Sequence, residues 1–165
     1  MKKRGQEELV GFVVIVVLVA VIFLVLLAIF IRKPGVDSKQ ESIEIYQFLE
    51  GAMKHTSECA INYEPNYLEA GELIEKCYEG TQCLDGKDSC LVLNSTFVLL
   101  IDNSWKVGEQ YPIKGYVFNS SYKGNETSEE ILSLRKGSCS GSVRGSEYLI
   151  PAFPGTIVST LRLCY

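Results

Sequence analysis

Six cysteines, one histidine and three Asn-x-Ser/Thr tripeptides are the residues of this 165-residue chain whose types and spacing carry chemistry. The cysteines stand at Cys59, Cys77, Cys83, Cys90, Cys139 and Cys164. An even number in a small exported domain points to three disulfides, and six cysteines allow 15 pairings. A metal is the rival use of thiols. The series Cys77-x5-Cys83-x6-Cys90 lacks the short C-x2–4-C knuckle of a structural zinc site. With no C-x-x-C, thiol–disulfide redox chemistry has no motif either. His55 has no evident nucleophile to serve, and a His near a helix end is ordinarily a surface group. The chain has no G-x-S-x-G, P-loop or H-E-x-x-H. Asp85-Gly-Lys-Asp88 lacks the alternating acids of a calcium loop. The expectation is a protein that is not an enzyme and uses no cofactor and no metal.

The sequons are Asn94-Ser-Thr, Asn119-Ser-Ser and Asn125-Glu-Thr. Each is an acceptor for N-glycosylation in an exported chain. Asn119 and Asn125 fall in a polar stretch at 118–128 that reads as a loop. Asn94 reads as part of a half-buried element, so Asn119 and Asn125 are the better acceptors.

These groups must be placed by the surrounding elements, and the first of those is unmistakable. Leu9–Ile31 is a 23-residue run without a charge. As a helix it spans roughly 35 Å, enough for a hydrocarbon core of about 30 Å. Lipid leaves backbone groups no outside partner, so one isolated span must be helical. Bulky Ile29, Phe30 and Ile31 meet Arg32 without a small-residue cleavage site, so the run is retained rather than removed as a secretory signal. Cysteines and sequons all lie beyond it, which places the N-terminus inside and residues 34–165 outside.

Residues 2–9, KKRGQEEL, run straight into this apolar stretch and resemble the class III signal of archaeal type IV pilin-like proteins. The resemblance covers about 30 residues. It implies that a prepilin peptidase cuts between Gly5 and Gln6, that residues 1–5 are a leader, and that the helix over 6–33 stays. It further implies a subunit of a cell-surface filament, a homo-oligomer assembled through that helix. The family's usual Glu five residues into the mature chain is Val10 here, so an amine–carboxylate pair between subunits would fall to Glu7 or Glu8. Independently of the family, acids at a helix start complement its dipole. The alternative is a single-pass, membrane-anchored exported domain that binds a partner or the envelope without polymerising.

Residues 34–165 read as an exported, Cys-rich head. Pro34-Gly35 interrupts the helical pattern. Ser38 to Glu41 has capping-box spacing and opens a helix over about 38–57. Asn66 to Glu69 offers a second box and a helix over 67–79, stopped by Gly80. Residues 90–105 suit a helix, although FVLLI also suits a buried strand. Short β-rich segments then follow at 111–118, 131–134, 147–150 and 156–165, with a turn at Pro151–Gly155. They predict an antiparallel meander. The fold class is α+β: a long apolar helix, then a disulfide-stapled domain of two or three helices and a C-terminal antiparallel sheet.

Antiparallel helices would set Cys59 and Cys77 at opposite ends, which disfavours that bridge. The favoured pairing is Cys139–Cys164 in the sheet, with the other four stapling the helices and the 80–89 loop. Trp105, Tyr111 and Tyr116 read as core rather than as a ligand platform. Residues 34–165 carry eighteen acids and eleven bases, against five bases and two acids in residues 1–33. A net −7 exported face disfavours nucleic acid as a partner; membrane lipid is the partner of the apolar run.

Overall fold

The structure, a computed structural model, describes residues 4–31, 37–124 and 127–165. It divides into two compact units, Met1–Asp37 and Ser38–Tyr165.

The first unit is α1 (Arg4–Ile31). The helix takes in Arg4, Gly5 and Gln6 as well as the apolar run.

The second unit begins in α2 (Asp37–Met53). Every third or fourth residue of α2 turns inward: Ile45, Leu49, Ala52 and Met53 are buried. The helix stops four residues short of the predicted 57. Thr56 and Ser57, expected to end it, instead open β1 (Thr56–Ala60), paired with β2 (Tyr67–Glu69). β2 was itself expected to be helical. The Asn66–Glu69 spacing is a false capping box, and the true one lies a turn later. Glu69 is the N-cap of α3 (Ala70–Tyr78), and its backbone N–H donates to Glu72 Oε2 at 3.1 Å. The displaced residues Tyr67–Glu69 are then free to pair with a strand. Gly80 ends α3 as expected, at φ +68°, a conformation that costs glycine nothing.

Residues 90–105 are helical. α4 (Ser89–Ser104) starts at Asp88, whose Oδ1 accepts from Cys90 N at 2.7 Å and Leu91 N at 3.2 Å. Continuous FVLLI is helical here because Leu93, Phe97 and Ile101 recur at one-turn spacing and are all fully buried.

Four antiparallel strands follow: β3 (Gly115–Lys123), β4 (Ser128–Gly137), β5 (Val143–Ala152) and β6 (Gly155–Cys164). β4 and β5 are longer than the segments read from sequence, β3 is shifted toward the C-terminus, β6 is nearly where it was expected, and the strands do not form a meander. The order is β4-β3-β6-β5, two hairpins joined by pairing of β3 with β6. A meander would leave β6 at an edge. Its burial explains the centre position: Ile157, Val158, Ser159, Leu161, Leu163 and Cys164 are all buried, so both faces and both edges need cover. Ser120 and Ser159, fully buried on the paired strands, satisfy each other across 3.0 Å between hydroxyls.

The helices bury the even-numbered face of β5 and β3 and the odd-numbered face of β6. Phe97 of α4 stacks on Phe118 of β3 at 4.3 Å, Tyr78 of α3 on Tyr122 at 4.8 Å, and Tyr46 of α2 meets Tyr148 at 6.3 Å. Arg144 of β5 pairs with Glu41 of α2. Trp105 is half-buried, packs on the core and stands edge-on to Phe48 at 4.5 Å, and Tyr116 is buried in the core, whereas Tyr111 is half-buried and does not belong to it.

Candidate functional site

Within α1, Gly11–Ala28 contains no charged residue, is long and apolar enough to cross a membrane, and is exposed around its whole circumference. An all-round apolar helix of this kind needs lipid or other helices to cover it. The Gly5–Gln6 bond lies in the first turns of α1, where the leading N–H groups have no intrahelical partners and unwinding costs least. Glu7 and Glu8 also belong to α1. Positions 1–3 of the leader lie outside the described residues.

All six cysteines are paired. Cys59–Cys83 ties β1 to the loop after α3, Cys77–Cys90 ties the last turn of α3 to the first of α4, and Cys139–Cys164 ties the β4–β5 connection to β6. The expected Cys139–Cys164 bridge is present, and the other four join helices, β1 and loop without a Cys59–Cys77 bond. The pairing follows from chain placement. Cys77 and Cys90 face each other where α3 and α4 meet, with Cα atoms 4.6 Å apart.

The sequons are placed differently from the expectation. Residues 118–123 are strand, not loop, so Asn119 sits mid-β3, where its amide nitrogen donates to Glu130 Oε2 of β4 at 2.6 Å. The 118–128 stretch looked like a loop because Asn and Ser dominate it. Their alternation with buried Phe118, Ser120 and Tyr122 is instead the period of a strand solvated on one face. Asn94 is exposed on α4, and Thr96 of its sequon donates to Val92 O at 2.8 Å. Asn125 lies outside the described residues.

The Ser38–Tyr165 unit has shallow clefts. One of about 350 Å³ is lined by Ser57, Glu58, Glu64, Tyr67, Leu84 and Asp85, among others. Lys87 lies beside it, 2.9 Å from Asp85, and this hydrogen bond holds the Asp85 carboxyl below its ordinary range. A second cleft, about 360 Å³, lies on the outer sheet face beside Arg162, Thr160 and Glu147. Among the described residues, no three His, Cys, Asp or Glu side chains gather in a way that could hold a metal ion. His55 is exposed in the turn between α2 and β1, beside no thiol, since Cys59 is in a disulfide. Buried Tyr116 is the titratable group set furthest into the core. Burial pushes its phenol up, and the neighbouring Asp102 carboxylate adds to that. Asp102 in turn takes a 2.7 Å ion pair from Lys136.

Sequence reasoning missed the outer face of the sheet. Arg135, Val117, Arg162 and Gly145 lie in one row across β4, β3, β6 and β5. Alternation along β6 sets Arg162 on the face opposite buried Leu161 and Leu163, but only the strand order sets Arg135 beside it.

These features define an α+β, disulfide-stapled domain that follows an apolar helix of membrane-spanning length in the chain. No family model, no curated protein and no solved structure matches this chain.

Proposed function

We propose that this protein is a structural subunit of a type IV pilus-like cell-surface filament of the archaeal kind. The observation that carries the reading is α1: an all-round apolar helix, Gly11–Ala28, entered directly from the basic KKRG-QEEL junction. In this reading a peptidase on the inner side cuts Gly5–Gln6 and the helix waits in the bilayer. Helices of many copies then bundle, each burying its apolar surface on its neighbours at about 25 cal/mol per Å² relative to water. Residues 34–165 face outward, locked by their disulfides. The polymer is a homo-oligomer, and its chemistry is packing, with no catalytic step. Glu7 or Glu8 supplies the carboxylate that meets the new amino group of Gln6 on a neighbouring subunit.

Mass spectrometry of the chain taken from native cells tests this. A mature N-terminus at Gln6 is expected; one at Met1 or Lys2 overturns the reading.

Val10, standing where the resemblance calls for an acid, favours a second reading: a single-pass anchor that keeps residues 1–5 and displays its domain as a monomer. Shearing cells and sedimenting the released material separates the two. Long filaments containing this chain support the first, and detergent-soluble monomers support the second.

Sugar on the outer domain is part of the proposal. Asn119 is held by Glu130, and a glycan on its nitrogen would disrupt the 2.6 Å bond inside a sheet. Asn94 is exposed, with its amide making no hydrogen bond among the described residues. Peptide mapping of native material is expected to find sugar on Asn94 and a bare Asn119. The reverse occupancy would contradict this.

A further inference from the structure

Charge is divided sharply within the exported domain. Residues 37–90 carry twelve acids and four bases, whereas residues 91–165 carry six acids and seven bases. The division follows the fold. The first stretch supplies α2, the β1–β2 hairpin, α3 and the Cys83 loop, and the second supplies α4 and the whole four-stranded sheet.

Three of those seven bases, Lys123, Arg135 and Arg162, lie on the outer sheet face, where Glu147 stands beside Arg162. Arg135 and Arg162 flank Val117, two strands apart, hence about 10 Å from each other along the row. Both side chains are exposed, and neither makes a hydrogen bond or ion pair among the described residues. Gly145 completes the row and keeps it flat next to Arg162. Lys123 adds a third cation to the face, while Glu130 is engaged by Asn119. Leu149 and Val143 are exposed apolar residues at the β5 edge of the same face.

The β1–β2 side presents the complement. Glu58 and Glu64 rim the 350 Å³ cleft and make no ion pair among the described residues, since Lys87 is paired with Asp85. Tyr63, Tyr67 and Leu84 put exposed apolar surface beside those acids. Among the described residues, the outer sheet face thus carries Arg135, Arg162 and Lys123 against the single open acid Glu147, the cleft side carries the open acids Glu58 and Glu64, both have exposed apolar side chains, and the two surfaces share no residue.

We propose that the outer sheet face of one copy docks on the Glu58–Glu64 cleft of the next. Arg135 and Arg162 meet Glu58 and Glu64, and Leu149 and Val143 meet Tyr67 and Leu84. The occupant is a second copy of this chain because the chain itself supplies both halves of the complementarity. Joining two different patches makes the contact heterologous, the kind that propagates into an open helical array instead of closing as a dimer. This inference rests on the filament reading and adds to it a contact outside the helical core. Guanidinium groups suit it, because they pair with carboxylates through two parallel hydrogen bonds.

The test uses the full chain expressed on cells. The Arg135→Glu/Arg162→Glu double variant is expected to lower the sedimentable filament about tenfold, and the Glu58→Lys/Glu64→Lys double variant to do the same, through like-charge repulsion at the contact. Combining all four substitutions is expected to restore filaments, which a folding defect would not do. As a direct readout, the Arg135→Lys/Arg162→Lys variant keeps the charge and permits zero-length carbodiimide cross-linking. Mapped cross-links from position 135 or 162 to Glu58 or Glu64 of another copy are expected. Wild-type filaments together with undiminished filaments from both double variants overturn the docking and leave the filament reading intact. Loss of adhesion to anionic polysaccharide with filaments unchanged overturns it in favour of a foreign partner. A wild-type chain recovered only as monomers overturns both.

Discussion

Replacing Phe97 by alanine is expected to lower the unfolding free energy of the Ser38–Tyr165 unit by about 3–5 kcal/mol. The ring is fully buried in the middle of α4 and stacks on Phe118 of β3 at 4.3 Å with an interplanar angle of 18°. Truncation therefore removes the transfer free energy of a whole phenyl group, leaves a cavity between a helix and a central strand, and loses a ring pair worth about 0.5–1.5 kcal/mol in its own right. The cavity cannot close easily, because Leu93 and Ile101, one turn away on either side, are themselves fully buried and already in place. Urea unfolding with disulfides intact should show a lower midpoint at an unchanged slope. Leu99→Ala on the same helix is the control. Leu99 is 59% exposed, so its loss should stay within about 0.5 kcal/mol. Similar costs for the two substitutions would mean that α4 does not seat Phe97 on the sheet.

The Cys139→Ser/Cys164→Ser pair is the second large effect. Its bridge spans 25 residues, for which the chain-entropy relation gives about 3.5 kcal/mol. The bridge matters structurally because it anchors the end of the central strand. Cys164 pairs with Gly115 on one side and Val143 on the other, and Lys114 N donates to Cys164 O at 2.6 Å. For a domain of this size the melting temperature is expected to fall by about 10–20 °C. Removing Cys77–Cys90, which spans 13 residues, should cost less, about 3 kcal/mol on the same relation. Calorimetry of the two double variants checks the order. An unchanged melting temperature in the Cys139→Ser/Cys164→Ser variant would show that the C-terminal strand holds its place without the bridge.

The places where sequence reading failed have a common cause. The cap spacing of Asn66 and Glu69 points to a helix over 67–69, yet Glu69 caps with Glu72 and leaves Tyr67–Glu69 extended. Cap spacing is local, and two overlapping candidates cannot be ranked until the partner strand β1 exists. The end of α2 was misplaced for the same reason, since Thr56–Ala60 leaves the helix to pair with β2. The Asn/Ser composition of 118–128 resembles a loop and masks the alternation that makes Asn119 a strand residue. The Arg135–Arg162 row depends on the β4-β3-β6-β5 order, and no local pattern encodes which of four amphipathic strands lies beside which.

Other features needed no tertiary information. The apolar run of α1, the α+β class, the Gly80 stop and the turn before β6 are all written in short-range pattern, because hydrophobic period and backbone preference act within a few residues. What only the folded chain decided was neighbourhood. The central position of β6, the thiols brought within bonding range and the two arginines set in one row come from packing segments far apart in sequence. Both edges of β6 are paired in the β4-β3-β6-β5 order, and that order, not any local signal, settles which side chains share a surface.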